Sequence, residues 1–350
     1  MQHFGRFNDR DIREATIRSP AMEAQIIEFG ATVRDMQVRT AAGAMQRVVL
    51  GLNSVEDYVE HSPHMGAIAG RFANRIRAGR FVLDGVAYQL PLNQDGKHAL
   101  HGGGLTGFGK SPWTFVHADA ASVTLAHVAP DGHNGYPGAL TATCRYTIAG
   151  TTLRIELAAS TDKPTIVNMC HHSYFNLDGG DDILDHTLEV RSNLMTPVDA
   201  DLIPDGTLAP VSGTPFDFRV ARPIRRLAPG GERIWYDHNF VLRRDRDEPS
   251  AQAGVRVAHA ATLASARSGI SMQVWTSEPA LQVYDGFKVK VPVAGLDGAR
   301  YSANAGICLE PQHVPDSPNL PHFPTTILRP GELYRQVTEY RFSAEPAAQG

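Results

Sequence analysis

Between residues 140 and 157 the chain alternates with a period of two, and this narrows the folds open to it more than any other feature. Leu140, Ala142, Cys144, Tyr146 and Ile148 interleave with Thr141, Thr143, Arg145 and Thr147, and Leu153, Ile155 and Leu157 follow at once. Successive side chains of an extended chain point to opposite faces, so each run is a strand with one buried face. Gly150 between them suits a tight turn, which predicts a hairpin. Similar short runs at 24–29, 32–38, 47–50, 79–83, 113–118, 122–128, 188–191, 240–242, 271–275, 281–284, 306–309 and 339–342 are separated by Gly, Pro, Asn and Asp, the punctuation of turns. No window of 12 residues sustains a helical period with caps; a single helical turn is expected at 54–58, where Ser54 and Asp57 form a weak capping box. The expectation is an all-β protein forming one domain over residues 1–342, with SAEPAAQG, residues 343–350, as a flexible tail.

Charge and cysteine usage exclude several functions. Thirty-three basic against 37 acidic residues, a net charge of −4, give no electrostatic reason for a nucleic-acid or anionic-membrane partner, and favour a small neutral ligand. The beginning MQHFGRFNDRD is charged where a signal peptide needs an apolar run, and no stretch of ~18 apolar residues occurs, so a soluble, cytoplasmic protein is expected. Cys144, Cys170 and Cys308 are odd in number and lack metal-like spacing, which argues for small buried side chains rather than disulfides or a zinc knuckle.

Chemistry concentrates in residues 165–177, TIVNMCHHSYFNL, which are β-rich yet carry two histidines and two asparagines. As a strand, the segment puts Asn168, Cys170, His172 and Tyr174 on one face and Val167, Met169, His171, Ser173 and Phe175 on the other. Adjacent strand residues cannot readily share one ion, so a buried structural histidine or a titrating imidazole fits the pair better than a metal site. In GAIAGRFANRI, residues 66–76, the arginines are either surface groups on a turn or, with Asn74 and Arg75, donors to a polar ligand. LHGGGLTG, residues 100–107, is either a glycine turn or a close backbone approach to a ligand beside His101. An esterase oxyanion hole would need a G-x-S-x-G elbow that is missing. Glu310 in GICLEPQ sits in an apolar strand, where burial makes a carboxylate costly unless paired; it is either a structural ion pair or a general base. Asp237 in WYDHNFVL and Gln282 in PALQVYDG have comparable strand settings.

Taken in order, GRFANRI, LHGGGLTGFGK, VNMCHHSYFNL, DLIPDGT, YDHNFVL, PALQVYDG, ICLEPQHVPDSPN and LRPGELY span nearly the whole chain and together closely resemble the aldose 1-epimerases, or galactose mutarotases. The resemblance implies a large antiparallel β-supersandwich, and cofactor-free interconversion of the α and β anomers of a monosaccharide such as galactose or glucose by a monomer or homodimer. It implies that His172 is the proton donor and Glu310 the base. Asn74, Arg75, His101, Tyr174, Asp237 and Gln282 match sugar-contacting positions. His171 departs from the family pattern, which usually has Asn or Thr before the catalytic histidine.

The residue types suit that chemistry. Opening a cyclic hemiacetal requires one group to take the anomeric hydroxyl proton and another to protonate the ring oxygen. No electrons move, and the chain carries no dinucleotide fingerprint. An imidazolium favours an ionised carboxylate beside it, so Glu310 is expected to titrate below its usual range. Two rivals remain at this point: a glycoside hydrolase using Asp237 and Glu310 as paired carboxyls, and a non-catalytic sugar-binding domain.

Overall fold

The computed structural model describes residues 1–252 and 254–346. Antiparallel pairing dominates, and three sheets hold most of the strands. A five-stranded meander runs in chain order through Gln2–Phe7, Arg10–Arg18, Met22–Ile27, Thr32–Arg39 and Met45–Arg47. The largest sheet orders Thr114–Ala118, Ser122–Ala129, Leu140–Ala149, Thr152–Thr161, Tyr334–Ala344, Ile270–Thr276, Arg256–Ala264, Thr187–Val190 and Arg222–Pro223, with Asp247–Pro249 also on Arg256–Ala264. A third sheet orders Tyr174–Phe175, Ile307–Gln312, Ala280–Tyr284, Asp237–Leu242, Ser192–Thr196 and Ala209–Pro210.

Alternation decides how these layers stack. The predicted hairpin forms in register, Tyr146 opposite Ile155 and Cys144 opposite Leu157, with Gly150 at φ +60° in the turn. Its apolar face joins Ile26 and Val33 of the meander, and Phe240, Leu281, Val283, Ile307 and Leu309 of the third sheet, in one continuous core. The residues between them, Asp237, Gln282, Tyr284, Cys308 and Glu310, therefore turn to the opposite face of the third sheet. The pleat that builds the core thus also presents a polar row.

Several elements differ from the sequence expectation. Residues 165–177 are not one strand but three two-residue pairings: Thr165–Ile166 with Ile327–Leu328, Cys170–His171 with Ile68–Ala69, and Tyr174–Phe175 with Ile307–Gln312. Between them the segment bonds to a loop, with Asn168 N donating to Arg71 O and His172 N to Ala67 O. Side-chain parity survives because the backbone stays extended. The apolar run at 47–50 is not a strand: pairing ends at Arg47, and Val48 N and Leu50 N donate instead to Met36 O and Tyr174 O. The strand beginning at Tyr334 continues to Ala344, with Ser343 and Ala344 paired to Ser271 and Ile270, so the chain stays ordered beyond 342. Residues 347–350 of the expected tail lie outside the described residues. The helical turn is present as Val55–Glu60, and Ser54 Oγ caps it by accepting from Asp57 N. Among the described residues no helix is long and apolar enough to cross a membrane.

Candidate active site

A half-enclosed cavity of about 170 Å³ opens on the polar face of the third sheet. Asn74, Arg75, His101, His172, Tyr174, Asp237 and Glu310 all line it, although they span 237 positions of sequence, from Asn74 to Glu310. Its volume is well below the roughly 300–1,000 Å³ of sites for drug-sized ligands, so the natural occupant is small.

Two loops and two sheets bring these groups together. Arg71 anchors the first loop from below: it is buried, and its Nη1 donates to Pro137 O, Gly138 O and Thr165 Oγ1. Asn74 and His101 bind each other, His101 N donating to Asn74 O (3.0 Å) and Asn74 N to His101 Nδ1 (3.2 Å). Both have positive φ, +61° and +50°. Gly102 follows at φ +80°, where a Cβ would lie 2.0 Å from Gly70 O. Only glycine fits there, and that accounts for the start of the GGG run. Lys110 donates to Tyr58 O, Val59 O and Ser62 O, holding the loop that leads into Pro63 and His64.

At the cavity floor His172 Nε2 lies 3.6 Å from Glu310 Oε2, both side chains being buried. His172 Nδ1 meets Cys308 Sγ at 3.5 Å, and Cys170 Sγ donates to Glu310 Oε2 at 3.5 Å. Burial is the largest influence on Glu310 and pushes it above its ordinary range, with Asp237 adding to this; His172, Cys170 and Arg75 oppose it. The expectation that the imidazole would bring Glu310 below its usual value is therefore corrected. Desolvation of a fully buried carboxylate outweighs one neighbouring charge.

His101 is neutral, held well below its usual value by burial and by His64 and His172. Since its Nδ1 accepts a backbone N–H, its proton sits on Nε2, making it a hydrogen-bond donor. Asp237 is an acceptor with both oxygens engaged, by Gln282 Nε2 at 2.6 Å and Arg75 Nη2 at 3.4 Å. That suits a ligand hydroxyl rather than a proton-donating carboxyl, and weighs against the paired-carboxyl hydrolase. Gln282 is not on the cavity wall; it stands behind Asp237 and fixes it. His171 faces the core, bonded to Tyr340 Oη and Ser173 Oγ, and burial holds it down to about 3. His172, Cys308 and Glu310 also converge closely enough to hold a metal ion, their ligand atoms lying within 4.8 Å, a cluster that sequence spacing did not reveal.

Pro63, His64, Leu100, Tyr284 and Lys288 line the same cavity. The sequence gives no spacing signal for them. His64 shares the loop held by Lys110; its ring centroid lies 4.7 Å from that of His101 and its buried Nδ1 has no partner. Burial, with His172 and Lys110 adding, lowers it to about 3.

An imidazole facing a carboxylate in a small cavity, ringed by amide, guanidinium and further imidazole groups on a β-sandwich, defines an acid–base enzyme for a small polyhydroxylated molecule. Comparison with known proteins agrees. The family model for aldose 1-epimerase matches residues 13–341. Galactose mutarotase of Rattus norvegicus is 38% identical over 334 residues, covering 95% of this chain and 94% of the relative. Aldose 1-epimerase of Escherichia coli K12 is 38% identical over 343 residues, covering 95% and 96%. An aldose epimerase homologue from C. elegans superimposes with TM-score 0.86 at 29% identity, covering 95% of this chain and 99% of the other. Galactose 1-epimerase of Lactobacillus acidophilus does so with TM-score 0.78 at 29% identity, covering 97% of both. The chain belongs to the aldose 1-epimerase family. Its reaction is the family's isomerisation, the interconversion of the α and β anomers of a free aldose.

Proposed function

We propose that His172 and Glu310 are the acid and base of this reaction, and that the aldose is a hexose such as galactose or glucose. The 3.6 Å approach of His172 Nε2 to Glu310 Oε2 carries the proposal. Glu310 takes the proton of the anomeric hydroxyl while His172 Nε2–H protonates the ring oxygen. The bond from C1 to the ring oxygen breaks and the C1 hydroxyl oxygen becomes the carbonyl of the open chain. Rotation about the next carbon–carbon bond presents the other carbonyl face. Return of both protons then closes the ring as the opposite anomer. Burial aids the base, because a carboxylate poised above its usual range holds a proton long enough to return it.

Asn74, Arg75, His101 and Asp237 supply donors and acceptors to the other hydroxyls, Tyr174 provides a flat wall, and Gln282 acts through Asp237. The same reading has the chain working in the cytoplasm on free sugar, as a monomer or homodimer without a nucleic-acid or membrane partner, in keeping with its net charge of −4. Polarimetry on freshly dissolved α-glucose and α-galactose tests it. Faster drift to anomeric equilibrium is expected with the wild type and its loss with His172→Asn. An unaccelerated drift with both sugars would remove the substrate assignment.

A further inference from the structure

His172 and Glu310 come from distant parts of the chain, yet one strand holds both. Within Ile307–Gln312, Cys308 and Glu310 are two residues apart and so share a face. Glu310 is the proposed base. The Cys308 thiol is the only hydrogen-bond partner of His172 Nδ1 among the described residues, at 3.5 Å. The strand is fixed on both sides, Cys308 pairing with Tyr174 on one and Tyr284 on the other. The thiol is fully buried, in contact with no solvent.

Resting on the assignment of His172 as the acid, we infer that Cys308 is a positioning residue for the proton transfer: its sulfur orients the imidazole and accepts from Nδ1–H while Nε2 gives and recovers its proton. After Nε2 donates, the remaining ring proton must be on Nδ1, so the group facing Nδ1 decides how readily the exchange reverses. A carboxylate there would stabilise the imidazolium strongly and weaken the acid, which suits a histidine that must first act as a base. A thiol accepts only weakly. It fixes the ring plane while leaving the charged and neutral rings close in energy, and a reaction that runs equally in both directions needs that balance. Burial drives the Cys308 thiol well above its ordinary value, and Glu310 adds to this, so it remains a neutral thiol through the cycle. The other titratable groups around the His172 ring are Glu310 on the same strand, His64 and His101 from the two loops, and His171 and Tyr174 on its own segment.

Cys308→Ala and Cys308→Ser, compared with wild type and His172→Asn, test this by polarimetric kinetics across pH and by thermal melting. The expectation for Cys308→Ala is a kcat reduced roughly 10-fold, KM within about twofold, and an alkaline limb moved to lower pH by about half a unit or more, because the imidazolium has lost an acceptor. Cys308→Ser, which keeps a group that donates and accepts, should recover most of the loss and return the limb. An Ala variant with normal kcat and an unmoved limb overturns the inference. So does an equal loss in Ala and Ser with unmoved limbs, since that is a packing defect. If His172→Asn itself keeps its rate, the acid assignment has failed and the role of Cys308 falls with it. An inactive His172→Asn beside a normal Cys308→Ala leaves that assignment standing and removes only Cys308. Should Cys308→Ala not fold, Cys308→Ser carries the test: its alkaline limb must shift from wild type, because a hydroxyl differs from a thiol in acceptor strength, and an unmoved limb refutes the inference.

Discussion

Replacing Glu310 with glutamine keeps the shape of the side chain and removes one property, the ability to take a proton. The carboxylate lies 3.6 Å from His172 and 3.5 Å from Cys170, and it makes none of the hydrogen bonds that tie Arg75 to Asp237 or Asn74 to His101. Sugar binding through those groups should survive, with KM changed by less than about threefold, while kcat falls by the usual worth of a general base, roughly 10²- to 10⁴-fold. That is about 3–5 kcal/mol of transition-state stabilisation. The acid limb of the wild-type pH profile should lie above the ordinary carboxylate value of about 4.3, since burial raises Glu310, and the variant should lack this limb. Stability should move in the opposite sense to activity. A carboxyl whose folded value exceeds its unfolded one binds its proton more tightly when folded. Its contribution is therefore complete below about pH 4 and is lost as pH rises through the raised folded value. Glu310→Gln escapes that loss, so at neutral pH its Tm should match or exceed the wild type. Stopped-flow polarimetry across pH, calorimetric titration of sugar and thermal melting measure all three quantities. A variant with near-normal kcat, or one whose loss lies entirely in KM, would show Glu310 to be a binding carboxylate, with Asp237 next in line as the base.

His172→Asn should lose at least about 10²-fold in kcat; His171→Asn should keep its activity but melt earlier by the worth of its bonds to Tyr340 and Ser173, about 1–3 kcal/mol, as polarimetry and melting will show. His64→Phe fills the same space without a polar nitrogen and should raise KM roughly 2- to 13-fold with little change in kcat, the effect of one lost hydrogen bond of about 0.5–1.5 kcal/mol. An unchanged KM would show that His64 only packs. Gly102→Ala drives a Cβ to 2.0 Å from Gly70 O at φ +80°, so it should destabilise by more than about 2 kcal/mol and displace His101, checked by melting and by KM. Exhaustive chelation should leave the rate unchanged, whereas added Zn²⁺ should inhibit, because an ion held by His172, Cys308 and Glu310 would occupy both proton-transfer groups; a rate lost on chelation and restored by metal would refute this.

Local pattern determined the strands and their faces. Period-two alternation at 140–157 was sufficient for the hairpin and its buried side, and Ser54 with Asp57 for the short helix, because both follow from the positions of neighbouring residues. The same parity put His172 and Tyr174 on the cavity wall and sent His171 to the core, even though the segment is broken into three pairings. Motif order across the chain was sufficient for the family. Tertiary structure decided what depends on long-range approach. Leucine and valine runs look alike whether or not the backbone pairs, so the run at 47–50 reads as a strand although Leu50 bonds instead to Tyr174, far along the chain. His64, Lys288 and the Cys308 contact to His172 carry no spacing signal, since each enters the site from a separate loop or strand. The upward shift of Glu310 was likewise invisible: it reflects the low dielectric of a buried sheet face, which forms only when the β-sandwich closes over that strand.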